Sequence, residues 1–157
     1  MDIHTNSHVH AGAPAPRPLW VIALLGLAPF PTAALTYLYG PVHLSGPALT
    51  VLLTWSAIML GFLGGIRWGL ESSRASPRWT RLAQSVLSPA AGWAMIFGRG
   101  SIETAWLLCG FLAAFILQWL YDHAAPEVPA RYPRLMTTLT LGACLSLAAA
   151  LEQAMRM

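Results

Sequence analysis

Five long apolar runs follow one another along this chain, each bounded by short polar or turn-forming stretches. They cover about 18–39, 48–70, 82–98, 102–121 and 135–151. Each is close to the ~20 residues a helix needs to cross a hydrocarbon core. Backbone N–H and C=O groups in lipid must pair within their own segment, so the pattern predicts helices. Pro18 is placed to open the first helix, and Pro29 and Pro31 should kink it. Gly40 to Pro47 reads as a turn-rich link, Glu71 to Arg81 as an arginine-rich loop, Arg99 to Ser101 as a tight turn and Asp122 to Pro133 as a proline-rich loop. The third run is the weakest, being short and holding Gln84, Ser85, Ser88 and Pro89. Residues 1–17 are polar and rich in Ala, Gly and Pro, which predicts a flexible amino-terminal tail and no secretory signal. Residues 18–157 then make one all-α integral membrane bundle of five transmembrane helices, with sequence neighbours antiparallel across short loops.

Composition supports the membrane reading. The chain is 56% hydrophobic and only 10% charged, against about 25% charged in soluble domains. Too few charges are present to cover a water-facing surface. The net charge of +3 is carried near the ends of the runs, with no basic stripe interleaved with aromatics, so no nucleic-acid partner is expected. With five crossings, one set of ends holds Arg17, Arg67, Arg74, Arg78, Arg81, Arg131 and Arg134, and the other only Arg99 and Arg156. The positive-inside rule puts the first set, and the amino terminus, in the cytoplasm. Trp20, Trp68, Trp79, Trp106, Trp119, Tyr39, Tyr121 and Tyr132 fall near run ends, as an interfacial belt would.

The stretch from Gly61 to Glu71 is the most specific in the chain. Gly61, Gly65 and Gly69 recur every four residues, a smooth stripe where another helix can approach closely. Gly142, Ser146 and Ala150 form a second small-residue stripe on the last run, a candidate partner for the first within the chain or across a dimer. Arg67 and Glu71 share a face about 150° around from the glycines. Arg67 either snorkels to the headgroups or forms an ion pair with Glu71 that faces a cavity, a ligand headgroup or a partner subunit. Asp122, Arg131 and Arg134 fall at the same end, so a cluster of these with Arg67, Trp68 and Glu71 is expected, as a structural clamp or as an anion site.

The remaining candidates are weaker. Trp55, Met59, Phe62, Trp93, Met95 and Phe97 are candidate lining for an apolar pocket with Arg67 at its mouth. Cys109 and Cys144 lie inside apolar runs and read as small hydrophobes. His4, His8 and His10 could bind a metal in isolation, but three histidines on a flexible tail are expected to be incidental. Neither a histidine nor a carboxylate falls at mid-membrane, which speaks against a histidine-ligated haem and against a proton relay. No nucleophile triad, phosphate loop or metalloprotease pattern is found, so neither an enzymatic reaction nor a cofactor is expected.

Met59 to Glu71, MLGFLGGIRWGLE, resembles the signature of the domain-of-unknown-function family that includes transmembrane protein 69. Gly26 to Phe30 is similar to that family's Gly-Leu-hydrophobic-Pro-Phe, and Arg131 to Thr140 to its closing tyrosine, arginine and Leu-Thr pattern. Arg67 stands where the family commonly has a histidine. The resemblance implies a bacterial or mitochondrial inner membrane and no established activity. The expected function is an accessory or assembly subunit of a larger respiratory or photosynthetic type complex. The alternative is a small bundle that carries a quinone, tetrapyrrole or lipid.

Overall fold

Pro29 and Pro31 break the first apolar run into two helices, α1 (Arg17–Leu27) and α2 (Pro29–Tyr39). Neither proline has an N–H to return to the carbonyls of Leu25 and Leu27, so the ladder stops there. The joint is held from outside. The Trp55 indole N–H donates to the Gly26 carbonyl at 2.9 Å, and the Thr32 hydroxyl donates to the Ala28 carbonyl at 2.9 Å.

Helix α3 (Val42–Ser72) starts earlier than the sequence suggests, and Pro47 lies inside its second turn. α4 (Trp79–Phe97) leads through a 3-10 turn at Gly98–Gly100 to α5 (Thr104–His123), and α6 (Tyr132–Arg156) ends the chain. This computed structural model describes residues 17–123 and 132–156, and no strand occurs among them. The amino-terminal tail expected over 1–17 therefore lies almost wholly outside the described residues.

Among the described residues, four helical stretches are long and apolar enough to cross a membrane: Trp20–Tyr39, Val42–Ser72, Thr104–His123 and Leu135–Arg156. The expected third crossing at 82–98 is not among them. α4 is long enough at 19 residues, but its polar side chains lower its hydropathy, and some of these turn inward. Ser85 is buried against α3, and the Ser88 hydroxyl donates to the Gln118 side-chain oxygen on α5.

α4 folds back along α3 as an antiparallel hairpin. Glu71 meets Arg78, Gly64 meets Ser85 and Pro89, Ala57 meets Gly92, and Thr50 accepts a hydrogen bond from Arg99 at 2.6 Å. From Thr50 to Glu71, at about 1.5 Å per residue, the seam runs ~31 Å. Small residues set its closeness. A Cβ on Gly64 would sit 2.8 Å from Pro89 Cδ and closer still to the Ser85 carbonyl, and one on Gly92 would sit 3.1 Å from the Ala57 Cα.

The packing seam therefore shares Gly61 with the expected glycine stripe but continues through Gly64 in place of Gly65 and Gly69. Gly61 makes only ordinary contact with Pro89 at 4.0 Å, and nothing lies within 4 Å of a Cβ on Gly65 or Gly69. Gly65 and Gly69 face open space because they point away from both α4 and the core. Nor does the second stripe face the first. A Cβ on Gly142 would meet Leu27 of α1 at 2.7 Å, and Ser146 donates within α6 to the Gly142 carbonyl at 2.9 Å. α6 packs mainly on α2 and α5, which is why the two stripes never meet.

The core joins α2, α3, α5 and α6. Phe30 and Phe115 meet edge to face at 5.8 Å, with Phe111, Leu52, Leu60 and Leu147 fully buried around them. In lipid such contacts hold helices through close packing, since the surrounding chains are as apolar as the side chains. Cys109 and Cys144 are free thiols, the first of them exposed.

Candidate functional site

The charged residues gather at one end of the bundle, but in pairings the sequence did not indicate. Arg67, near the end of α3, reaches across to Asp122 at the end of α5, and its Nε donates to Asp122 Oδ1. The two side chains are only 12% and 8% exposed, so this pair is enclosed by helices. Gln118, one turn before Asp122, is buried and donates from Nε2 to Asp122 Oδ1 at 3.4 Å, while its oxygen accepts from Ser88 of α4. A continuous polar chain thus ties α3, α5 and α4. One donor is left over: Arg67 Nη2 is buried with no acceptor among the described residues.

Glu71 does not pair with Arg67. It is buried, accepts the Arg78 backbone N–H at 3.0 Å, and forms ion pairs with Arg74 at 3.3 Å and Arg78 at 3.4 Å. This corrects the expected Arg67–Glu71 pair. With arginine preceding the acid at i, i+4, the orientation is the weaker one on a helix, and Asp122 and Arg78 offer better partners. Glu71 instead closes the turn between α3 and α4. Trp68 is half exposed on the outer side of α3. Arg131 and the side chain of Arg134 lie outside the described residues.

The expected six-residue apolar pocket is not assembled. Trp55, Met59 and Phe62 line a cavity of about 320 Å³ between α1, α3 and α6, together with Gly26 and Met136. Trp93 and Phe97 instead stack on each other at 5.4 Å on the exposed side of α4, since residues four apart share one helix face. Met95 lines a separate cleft between α4 and α5. Arg67 is not at the mouth of the first cavity, because its guanidinium is drawn to Asp122 on the other side.

The family model described as protein of unknown function (DUF3429) matches residues 15–152. The chain belongs to the DUF3429 family. It is 32% identical over 141 residues to transmembrane protein 69 of Xenopus tropicalis, covering 87% of this chain and 54% of that protein. It is 38% identical over 85 residues to transmembrane protein 69 of Mus musculus, covering 52% of this chain and 34% of that protein. The chain thus spans about half the length of the first of these relatives and about a third of the second. No solved structure matches.

The resemblance seen in the sequence is thus the right one, and this DUF3429 member is a multi-pass, all-helical membrane protein. Gln118 and Ser88 are the members of the polar network that sequence reasoning missed. A signal for Gln118 was present: a lone amide inside an apolar run, four residues before Asp122 and so on the same helix face. Ser88 gave no such signal, because nothing in the sequence shows which face of α4 meets α5.

Proposed function

We propose that this DUF3429 protein is a non-enzymatic accessory or assembly subunit of a larger membrane complex of respiratory or photosynthetic type, seated in a bacterial inner membrane. The observation that carries this reading is the open glycine surface of α3. Gly65 and Gly69 have nothing above them, and Phe62 and Trp68 beside them are about half exposed. Small residues facing lipid let a second protein's helix approach to backbone distance, which is where affinity between membrane helices arises. The polar network favours the same reading. Its carboxylate, Asp122, is engaged by Arg67, and the nearby Glu71 by Arg74 and Arg78, which suits a clamp better than a proton-transferring group.

Five crossings complete the proposal, with the amino terminus in the cytoplasm and the arginine-rich end facing it. The support is the ~31 Å antiparallel run of α4 along α3, close to the ~30 Å hydrocarbon thickness. Polar residues on α4 are tolerable there because Ser85 and Ser88 face other helices.

Mild-detergent extraction at native expression tests the subunit role. The wild-type chain should bring a membrane partner with it, and Gly65→Leu with Gly69→Leu should reduce that partner by roughly tenfold, about 1.4 kcal/mol. The melting temperature of the chain itself should not fall, since both sites are open. A stable monomer with no partner in the wild type contradicts the proposal. The cavity between α1, α3 and α6 favours a second reading, a carrier of an apolar molecule. Native mass spectrometry that finds a stoichiometric small molecule lost on Gly26→Leu would select it.

A further inference from the structure

The cleft between α4 and α5, about 290 Å³, is polar at one end and apolar at the other. Gln84, Ser88, Gln118 and Tyr121 line it toward the arginine-rich end, and Met95 and Gly110 line its far end. From Gln84 to Met95 α4 rises ~16 Å, about half of a ~30 Å hydrocarbon core. The cleft therefore has the depth and polarity of a single leaflet. Gln84 and Tyr121 are exposed and have no side-chain hydrogen-bond partner among the described residues, and Gln118 Nε2 has only Asp122 at 3.4 Å. Exposed at the headgroup end of the cleft, these donors are free to meet an occupant that brings acceptors.

Charge narrows the occupant. Arg81 lies one turn before Gln84 on the same face of α4. At this end Asp122 is engaged by Arg67, and Glu71 by Arg74 and Arg78. Arg81 has no ion pair among the described residues. An anionic group beside it would complete the site.

We propose that this cleft binds one anionic phospholipid from the leaflet at the arginine-rich end. Its phosphate sits at Arg81, its ester oxygens accept from Gln84 and Tyr121, and one acyl chain runs down to Met95 and Gly110. The inference rests on the proposed crossing of the bilayer by α4, but not on the identity of any protein partner.

Native mass spectrometry of the full chain, after incubation with equal phosphatidylglycerol and phosphatidylethanolamine, tests it. One phosphatidylglycerol should be retained with about fivefold preference, the size expected for one arginine near an anionic headgroup. Arg81→Gln should remove the preference while the melting temperature holds. Ala113→Leu, at an exposed position in the cleft wall, should prevent retention of either lipid. Arg99→Gln, at the opposite end, should behave as wild type. Equal retention of the two lipids, a preference that survives Arg81→Gln, or a stoichiometric quinone in the cleft would overturn the proposal. A protein partner lost on Ala113→Leu, with no lipid retained by the wild type, would also overturn it while leaving the subunit role intact.

Discussion

Replacing Asp122 with leucine is expected to destabilise the bundle by about 3 kcal/mol, measured by denaturant unfolding of the purified protein in detergent with tryptophan fluorescence. Losing one partner of an enclosed ion pair strands the other charge, which costs about 3–5 kcal/mol. On the proposed topology Arg67 lies about one turn from the membrane boundary, so partial snorkelling should bring the loss to the lower end. Gln118 Nε2 loses its acceptor in the same variant, so the polar chain from Arg67 through α5 to α4 is cut, although the Ser88–Gln118 bond itself is kept. The double variant Arg67→Met with Asp122→Leu should recover most of the stability, because no charge is then left unpaired. Exchanging the two residues should recover part of it. If Asp122→Leu changes stability by less than about 0.5 kcal/mol, the range of an ordinary surface substitution, Arg67 is simply a snorkelling arginine and the network holds nothing.

The second large effect is expected at Gly64. A methyl group there would meet Pro89 Cδ at 2.8 Å and would press harder still on the Ser85 backbone carbonyl. The carbonyl belongs to a helix and cannot move alone, so α4 must shift as a body. Overpacking of this kind costs about 1–3 kcal/mol, and the backbone contact puts Gly64→Ala at the upper end. Gly65→Ala, one residue away and open, should be neutral or stabilising by up to about 1 kcal/mol, because alanine loses less backbone freedom in a helix. The same unfolding measurement compares them. Equal effects at the two positions would show that α3 and α4 do not pack through this seam.

That contrast shows what could be read from the sequence. The helical runs, the membrane setting and the family are legible, because long uncharged stretches leave few alternatives and the family match extends over most of the chain. The seam was half legible. Counting glycines alone selected Gly61, Gly65 and Gly69, whereas the helices meet through Ala57, Gly61 and Gly64 on α3 and Ser85, Pro89 and Gly92 on α4. Both sets step by four and then three residues, a pattern visible only when alanine, serine and proline count as small. The two charged residues that pair across helices, Arg67 and Asp122, are both candidates on the sequence alone. Their pairing is not, because a contact across 55 positions depends on how α3 and α5 cross. Spacing within one helix offered Glu71 instead. The link expected over Gly40 to Pro47 is helical from Val42 for a local reason: two prolines and two glycines look like a turn, yet a proline in the second turn of a helix removes only one ladder bond.

Whether α4 crosses the bilayer decides the topology, the position of the polar network and the side on which each end of the chain lies. Single cysteines at Ser76 and Ser101, on a background with Cys109 and Cys144 replaced by alanine, bracket that helix. Labelling of intact cells and of inverted vesicles with a membrane-impermeant maleimide should modify Ser76→Cys only from the cytoplasmic side and Ser101→Cys only from the opposite side. Modification of both from the same side would contradict a five-helix bundle.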